Sequence, residues 1–329
     1  MRFQILALSG GGYLGLYTAR LLRDFERQAG RPIGSCFDLI CGTSIGGILA
    51  LALGAEISAD TILGAFEADG EAIFSNRPKP RGKVAKLLDL KRFLNGPKYG
   101  DAGLKRTAQR LLQSRTLADS RRRLLIPAVN MTRGQLQMFK TAHHERYTRD
   151  HTYPMIEVAL ATSAAPTIFP MAELGSSLFA DGGLAANAPD LCGVHEAVCN
   201  LDIRLKDIHV LSLGTTTTEF ALSHAEGRQF GAVQWMTDSR LISTMIAVQQ
   251  QLTVSVMEQQ LGSRYLRIDE PARPDHQGVL GLDVATVEAR RTILGLAEGA
   301  SQRFSAEPRL QAFLAHRAPD PTFYHVGSA

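Results

Sequence analysis

The sequence predicts an α/β protein whose parallel sheet is covered by helices. Two apolar runs near the start, Phe3–Leu8 and Phe37–Cys41, each end in a glycine-rich turn that leads into a helical pattern. Successive strand–turn–helix units are typical of parallel sheets, because neighbouring parallel strands need a crossover connection. The chain has 329 residues, of which 45% are apolar, and is therefore long enough to bury a large core.

The other elements follow from hydrophobic periodicity and from helix start and stop signals. Predicted helices are Leu16–Ala29, one directly after Gly46, Ala59–Phe74, Ala102–Gln113, a short one within Met155–Pro170 ending near Pro166, one between Pro189 and about Cys199, Leu241–Leu261, Val284–Ala300 and Glu307–Ala315. Further predicted strands are Leu124–Val129, Gln135–Thr141, Leu178–Ala180, His209–Leu213 and Ser263–Asp269. The long helix is predicted as amphipathic from Leu241, Met245, Val248, Leu252 and Val256.

Charge and cysteine content exclude several classes of protein. The net charge is +4, from 36 basic and 32 acidic residues, and this mild excess does not predict DNA or RNA as a partner. The four cysteines lack zinc spacing and are too few for a disulfide scaffold: Cys36, Cys41, Cys192 and Cys199. Cys36 and Cys41 are predicted to be small side chains that fill the core.

No secretory signal is visible, and the uncharged stretch Leu39–Ala55 is shorter than the roughly 20 residues of a membrane-spanning helix. We expect a cytoplasmic protein.

The first glycine-rich turn, Gly10–Gly15, has two candidate roles. It matches G-x-G-x-x-G, the dinucleotide fingerprint, which requires an acidic residue at the end of the second strand. The candidate, Asp38, lies near the start of that strand instead, so we expect no nucleotide cofactor. Alternatively, the backbone N–H groups of Gly10, Gly11 and Gly12 form an oxyanion hole, because glycines let the main chain approach a substrate.

The second turn, Gly42-Thr43-Ser44-Ile45-Gly46, matches the G-x-S-x-G nucleophile elbow, which raises a serine hydroxyl above a sheet. Gly42 and Gly46 lie two residues either side of Ser44, where a Cβ would crowd a sharp turn. The unpaired amides at the start of the following helix favour developing negative charge. The alternative is a plain turn in which Ser44 only caps the helix.

A serine nucleophile needs a base, and the sequence offers two kinds. Asp181 follows a short strand and precedes Gly182-Gly183, and burial would raise the pKa of its carboxyl. The same three residues could also be a simple turn. The other kind is a downstream histidine, as in a Ser-His-Asp triad, although none of the candidates lies in a recognisable motif: His195, His209, His224, His276, His316 and His325.

Two further segments carry weaker signals. Asn76–Tyr99 contains eight basic residues against one acid, Asp89, and is predicted either as a lid or patch for anionic lipid headgroups or as a solvated loop with a short amphipathic helix. A histidine-rich stretch, with His143, His144, Glu145 and His151, does not have metal-site spacing, because its adjacent histidines point to different faces.

Taken together, the motifs resemble those of patatin-like phospholipases. The glycine-rich loop Gly10–Gly15, the elbow Gly42–Gly46 and Asp181-Gly182-Gly183 match the three family signatures in order, within about residues 3–214. The block Ala161–Pro170 also resembles the family's sequence before its aspartate. The resemblance implies a three-layer α/β/α fold with a mostly parallel central sheet, a catalytic domain over 1–214, and a mainly helical C-terminal part over 215–329 that packs on it or regulates it. One departure is Leu14, where the family often carries Arg or Lys.

The resemblance also implies roles for individual residues. Ser44 would be the nucleophile and Asp181 the general base of a Ser–Asp dyad. Gly10, Gly11 and Gly12 would form the oxyanion hole. Gly42, Gly46 and Gly182 would support the turns. The implied reaction is hydrolysis of membrane phospholipid acyl esters at the inner membrane surface, with no cofactor and no metal.

The opening stretches, LSGGGYLGLYTARLL and FDLICGTSIGGILAL, are especially similar to bacterial patatin effectors of antiphage signalling, which a cyclic oligonucleotide switches on to degrade the host membrane. We therefore expect a cyclic di- or trinucleotide activator, and a homo-oligomer formed on activation is a further expectation. Two alternatives remain open at this point. One is a constitutive serine esterase or lipase with a Ser-His-Asp triad, and the other is a non-catalytic lipid- or nucleotide-binding protein.

Overall fold

The computed structural model describes residues 2–74, 96–216, 229–231, 234–235, 240–272, 276 and 278–324. The strands are β1 (Phe3–Leu8), β2 (Leu39–Gly42), β3 (Arg123–Asn130), β4 (Gln135–Lys140), β5 (Ala172–Leu174), β6 (Ser177–Asp181), β7 (Ile208–Leu213) and β8 (Tyr265–Ile268). The α-helices of the described ranges are α1 (Gly15–Ala29), α2 (Ile45–Gly54), α3 (Ala59–Ile73), α4 (Ala102–Leu112), α5 (Met155–Ser163), α6 (Gly183–Ala186), α7 (Asp190–Cys199), α8 (Arg240–Leu261), α9 (Val287–Phe304) and α10 (Pro308–Ala315).

All eight strands of the described residues belong to one sheet, in the order β5-β6-β3-β2-β1-β7-β8, with β4 paired to β3 outside this path. Five neighbouring strands are parallel to one another: β3, β2, β1, β7 and β8. Strands β4 and β6 run antiparallel to β3. The predicted mostly parallel sheet is therefore confirmed. The central strand β1 is buried along its whole length, as expected for a parallel strand with helices on both faces.

Alternate side chains of β1 enter two different cores. Leu6 and Leu8 belong to the larger core, which includes residues of α1–α5, α9 and α10. Phe3, Ile5 and Ala7 belong to the smaller core, together with residues of α7 and α8. Because the two sets lie on opposite faces of one strand, the fold has three layers, α/β/α, and this prediction is also confirmed.

Most elements lie within a few residues of their predicted bounds, and the differences have local causes. Strand β2 starts at Leu39 rather than Phe37, because Ile33–Cys36 forms a short 3-10 helix and Phe37 is its C-cap residue. Cys36 and Cys41 are free and buried, as predicted. Strand β5 and helix α6 were not predicted, because three or four residues carry too little periodicity.

The residues after the predicted domain boundary at 214 continue the same sheet. Strand β8 pairs in parallel with β7, and α9 packs against α1. The division into 1–214 and 215–329 stays a prediction. None of the helices in the described ranges has the length and hydrophobicity that crossing a membrane requires.

Candidate active site

Strands β2 and β6 meet end to end along one edge of β3. Cys41 of β2 pairs in parallel with Leu125, and Asp181 of β6 pairs in antiparallel fashion with Ala128. Strand β4 occupies the other edge of β3 across both positions, so β2 and β6 share the remaining edge. Because they run in opposite directions, their carboxyl ends face each other, and this brings the elbow after β2 next to Asp181.

The elbow holds Ser44 in an unusual backbone conformation. Its φ is 55° and its ψ is −126°, a region that residues with a side chain rarely adopt and that is found at functional turns. Ser44 occupies the N-cap position of α2, yet its side chain makes no capping hydrogen bond. Instead, Ser44 Oγ donates to Asp181 Oδ2 at 2.6 Å. The alternative in which Ser44 only caps the helix is therefore wrong.

Glycines are required around both turns by close backbone contacts. A Cβ on Gly42 would lie 2.1 Å from the carbonyl oxygen of Gly46, and one on Gly46 would lie 2.3 Å from that of Leu8. A Cβ on Gly182 would lie 2.2 Å from the carbonyl oxygen of Pro127. These distances are far shorter than real Cβ contacts, so Gly42 and Gly46 allow the elbow to close and pack on β1, and Gly182 allows the turn after Asp181 to pack on β3.

The Asp181 carboxylate is buried and hydrogen-bonded on both oxygens. Besides Oδ2, which accepts from Ser44, Oδ1 accepts from the backbone N–H of Gly183 at 2.7 Å. Burial raises the pKa of Asp181 to about 6, although the hydrogen bonds from Ser44 and Gly183 oppose this shift. A carboxylate with this pKa is a far better proton acceptor near neutral pH than an ordinary aspartate.

The loop Gly10–Gly12 lies next to the elbow, since a Cβ on Gly10 would be 3.2 Å from the Ser44 Cβ. Gly12 has a φ of +55°, and a Cβ there would lie 2.1 Å from the carbonyl oxygen of Leu282. The Gly10 amide already donates to the carbonyl of Asn187 at 3.0 Å. The amides of Gly11 and Gly12 have no hydrogen-bond partner within the described part of the chain, so they are the donors that remain open.

Three side chains that the sequence did not single out hold this arrangement. Thr162 Oγ1 accepts from the Ser44 amide at 3.0 Å and donates to the Pro127 carbonyl at 2.6 Å, so it joins the elbow to β3. Asn187 Nδ2 and Thr215 Oγ1 both donate to the Gly10 carbonyl. Of the three, only Thr162 lies in a stretch that the sequence analysis had linked to the family, the block Ala161–Pro170.

The candidate histidines of a triad lie elsewhere. His316 bonds Asp38, His209 bonds the carbonyl of Asp207, and His195 contacts Cys199. Of the four downstream histidines that the structure describes, these three and His276, none has a hydrogen bond to Ser44 or Asp181. His224 and His325 lie outside the described residues.

The other signals from the sequence also have structural roles. Asp38 accepts from the Gln4 amide, so its carboxylate is engaged at the start of the sheet. Leu14 is buried in the larger core. His143 is buried between Thr141 and Glu196. The described ranges contain no group of three or more side chains that could hold a metal ion.

Most of the basic segment Asn76–Tyr99 lies outside the described residues, from 76 to 95. The described residues of the segment, 96–99, make an ion pair and hydrogen bonds to other parts of the fold. Lys98 Nζ pairs with Asp283 at 2.8 Å, and the backbone amides of Lys98 and Tyr99 donate to the carbonyls of Thr167 and Ile168. Both predictions for the rest of the segment stay predictions.

Comparison with known proteins identifies a family for this chain. The sequence profile of the patatin-like phospholipases matches residues 6–189. This range contains the Gly10–Gly12 loop, the Gly42–Gly46 elbow and Asp181, which the structure brings together.

Three relatives extend the similarity beyond that range. A protein of Pseudomonas aeruginosa (strain BWHPSA011 / Pa011), named cGAMP-activated phospholipase, is 41% identical over 325 residues, which cover 98% of this chain and 95% of the relative. A protein of the same name from Escherichia coli (strain TW11681) is 33% identical over 336 residues, covering 95% of this chain and 92% of the relative. A cUMP-AMP-activated phospholipase of Escherichia coli is 29% identical over 224 residues, covering 64% of each chain.

Proposed function

This chain belongs to the patatin-like phospholipase family, and on that premise we propose that it cleaves membrane phospholipid acyl esters with a Ser44–Asp181 dyad under the control of a cyclic dinucleotide. The predicted class, a serine acyl-ester hydrolase of the patatin-like kind, is confirmed by the family. The relatives named for activation by cGAMP or cUMP-AMP support the proposed control. Action at the inner membrane surface is part of the same proposal.

The observation that supports the dyad most directly is the 2.6 Å hydrogen bond between Ser44 Oγ and Asp181 Oδ2. A base must lie within hydrogen-bond reach of the proton that it removes. The strained backbone at Ser44 gives further support, because such strain persists where the surrounding fold enforces it for function. A purely binding role would require neither the strain nor the buried carboxylate.

The proposed reaction proceeds in two halves. Asp181 accepts the hydroxyl proton while Ser44 Oγ attacks the ester carbonyl carbon, and the amides of Gly11 and Gly12 stabilise the resulting oxyanion, each such donor contributing about 3 kcal/mol. The ester C–O bond then breaks, and Asp181 returns the proton to the leaving lysolipid oxygen. Water attacks the acyl-enzyme with Asp181 again as base, which releases fatty acid and restores the Ser44 hydroxyl.

The experiment measures fatty-acid release from vesicles of phosphatidylethanolamine and phosphatidylglycerol, with and without cGAMP or cUMP-AMP. We expect one of these nucleotides to raise the rate of the wild type by about 5- to 150-fold, a typical allosteric coupling. Ser44→Ala is expected to be inactive under all conditions. Ser35→Ala, which removes a serine hydroxyl at the amino end of β2, serves as the matched control.

Each part of the proposal can fail separately in this experiment. Equal rates with and without both nucleotides would contradict the proposed control. Fatty-acid release by Ser44→Ala at the wild-type rate would contradict the assignment of the nucleophile. Sedimentation velocity of the same samples tests the expected homo-oligomer, whose absence in the presence of an activating nucleotide would refute that part alone.

The pH dependence of the reaction tests Asp181 as the base. Burial raises the pKa of Asp181 to about 6, and only the ionised carboxylate can accept the Ser44 proton. For a soluble ester, kcat/KM is therefore expected to rise about tenfold per pH unit below about pH 6 and to level off above it. Circular dichroism over the same range verifies that the protein stays folded. A rate that is flat from pH 5 to pH 8 would contradict the role of Asp181.

A further inference from the structure

Helix α8 combines a long uncharged sequence with an exposed apolar stripe. No Asp, Glu, Lys or Arg occurs between Arg240 and Glu258. Leu241, Met245, Val248 and Leu252 are 43%, 50%, 58% and 65% exposed, and they repeat at helical spacing over three turns, about 16 Å. The residues that α8 buries are Ala247, Gln250, Met257 and Leu261. The spacing that predicted this helix thus belongs mostly to its exposed side.

The turn of α8 that exposes Val248 also reaches the catalytic loops. Gln249 Oε1 accepts from the Asn187 amide at 2.6 Å, and Gln249 Nε2 donates to the Leu184 carbonyl at 3.1 Å. Gln250 Oε1 accepts from Asn187 Nδ2 at 2.9 Å, and the same Nδ2 donates to the Gly10 carbonyl. Gln250, on the buried side of α8, is therefore two hydrogen bonds away from the loop that carries the oxyanion amides.

Aromatic and cationic side chains lie together at the start of α8. The Arg240 guanidinium carbon lies 5.5 Å from the centre of the Phe230 ring, and that ring lies 5.6 Å from the ring of Trp235. Trp and Arg are side chains that place an apolar body against hydrocarbon and a polar group in the headgroup region. This composition fits the boundary of a bilayer.

We propose that the apolar stripe of α8, formed by Leu241, Met245, Val248 and Leu252, docks on the surface of a phospholipid bilayer. The inference rests on the proposed function, because it requires a substrate that lies in a membrane. A lipid surface fits the stripe because the uncharged flanks of α8 lack the charged pairs that orient a second protein helix. It also fits because the same helix packs against α6 and α7, the two helices that come after Asp181 in the chain, so the docking helix borders the elements that follow the site.

The test replaces two stripe residues and leaves the glutamine contacts intact. Val248→Gln with Leu252→Gln removes apolar area and places a good helix former at both positions. The matched control is Met131→Gln with Leu136→Gln, which alters two other exposed apolar residues, 49% and 40% exposed, on the β3–β4 hairpin. Both pairs are also made in a Ser44→Ala background, which measures vesicle binding without hydrolysis.

Three measurements are compared: co-sedimentation with vesicles of phosphatidylethanolamine and phosphatidylglycerol, hydrolysis of those vesicles, and hydrolysis of dispersed p-nitrophenyl butyrate, all in the presence of cGAMP. The stripe variant is expected to lose about tenfold or more in vesicle binding and vesicle hydrolysis, since apolar contact drives interfacial binding. Its hydrolysis of the dispersed ester and its melting temperature are expected to match the control pair.

Several results would overturn the proposal. The first is that the stripe variant binds vesicles as well as the control pair does. Another is a wild type that hydrolyses the dispersed ester but does not bind vesicles. A third is an unchanged vesicle affinity accompanied by a lower assembly state in sedimentation velocity, which would assign the stripe to a second copy. If the wild type instead binds vesicles through the stripe but hydrolyses neither substrate, the docking surface stands and the proposed function fails.

Discussion

Replacing Asp181 by Asn is expected to lower fatty-acid release from phospholipid vesicles about 10⁴-fold, the scale seen when the base or its partner is removed from a serine hydrolase. The substitution keeps the size of the side chain but removes its ability to accept the Ser44 proton. The 2.6 Å hydrogen bond places the Asp181 carboxylate within reach of the Ser44 hydroxyl proton. Ser44→Ala is expected to lose activity to a similar extent, because the proposed mechanism uses the two residues as one unit.

The same substitution is expected to stabilise the folded protein at neutral pH. Burial raises the pKa of Asp181 to about 6 from 3.8, so the folded chain holds this proton over a pH range in which the unfolded chain has lost it. Wild-type stability therefore falls as the pH rises from about 4 to about 6, and the uncharged Asn escapes this loss. The gain in unfolding free energy is expected to be about 2 to 3 kcal/mol at pH 7 and to vanish near pH 4.

Activity and denaturant unfolding of the same preparations test both statements. Ser44→Ala is the matched control, because it is also inactive but keeps the buried carboxylate. A gain in stability that appears equally in Ser44→Ala would show that the carboxylate is not its source. An Asp181→Asn variant that retains more than about one hundredth of the wild-type rate would remove Asp181 from the role of base.

Glu196→Ala is expected to lower the unfolding free energy by about 3 to 5 kcal/mol, as when one partner of a buried ion pair is removed. The carboxylate of Glu196 is buried and accepts from Lys140 Nζ at 2.5 Å, from the Tyr147 hydroxyl at 2.6 Å and from Asn200 Nδ2 at 3.0 Å, and it contacts His143 Nε2 at 3.1 Å. Truncation would leave these polar groups without their acceptor. Helix α7 would then lose its link to β4 and the loop that follows it.

The contribution of Glu196 also has a defined pH dependence. Burial would raise the pKa of this carboxyl, but hydrogen bonds from His143, Lys140 and Tyr147 outweigh burial and lower it to about 2. Its contribution to stability is therefore present above about pH 4.5 and is lost as the pH falls toward 2. Urea unfolding of Glu196→Ala and of Glu307→Ala, which breaks an exposed pair with Arg309, gives the comparison. Equal urea midpoints for the two variants would contradict the prediction, because an exposed pair contributes less than about 1 kcal/mol.

The sequence predicted what local periodicity and turn chemistry determine. The strand Phe3–Leu8 and the elbow at Ser44 each depend on a few neighbouring residues, and each lies where it was expected. The resemblance to patatin-like phospholipases further implied that Asp181 lies beside Ser44, although 137 positions separate them. That pairing requires only that two strands end at the same place on the sheet.

Contacts across the fold could not be predicted in this way. The hydrogen bond from the Gly10 amide to Asn187 and the support of Ser44 by Thr162 both join distant segments, and no local pattern indicates them. Helix α8 shows a related limit. Its residue spacing defined an apolar face, but spacing does not tell whether such a face packs on the core, on a partner or on a lipid. Most of the apolar face of α8 is exposed on the protein surface.

The order of strands in the sheet has a consequence for biosynthesis. A growing chain carries Ser44 early, but Asp181 at the end of β6 is synthesised 137 positions later, and β7, which flanks β1, follows later still. Until β7 joins, the Ser9 amide lacks the Leu213 carbonyl that positions the glycine loop. The contacts that hold Ser44, Asp181 and the glycine loop together can therefore form only after the chain has been synthesised as far as Leu213.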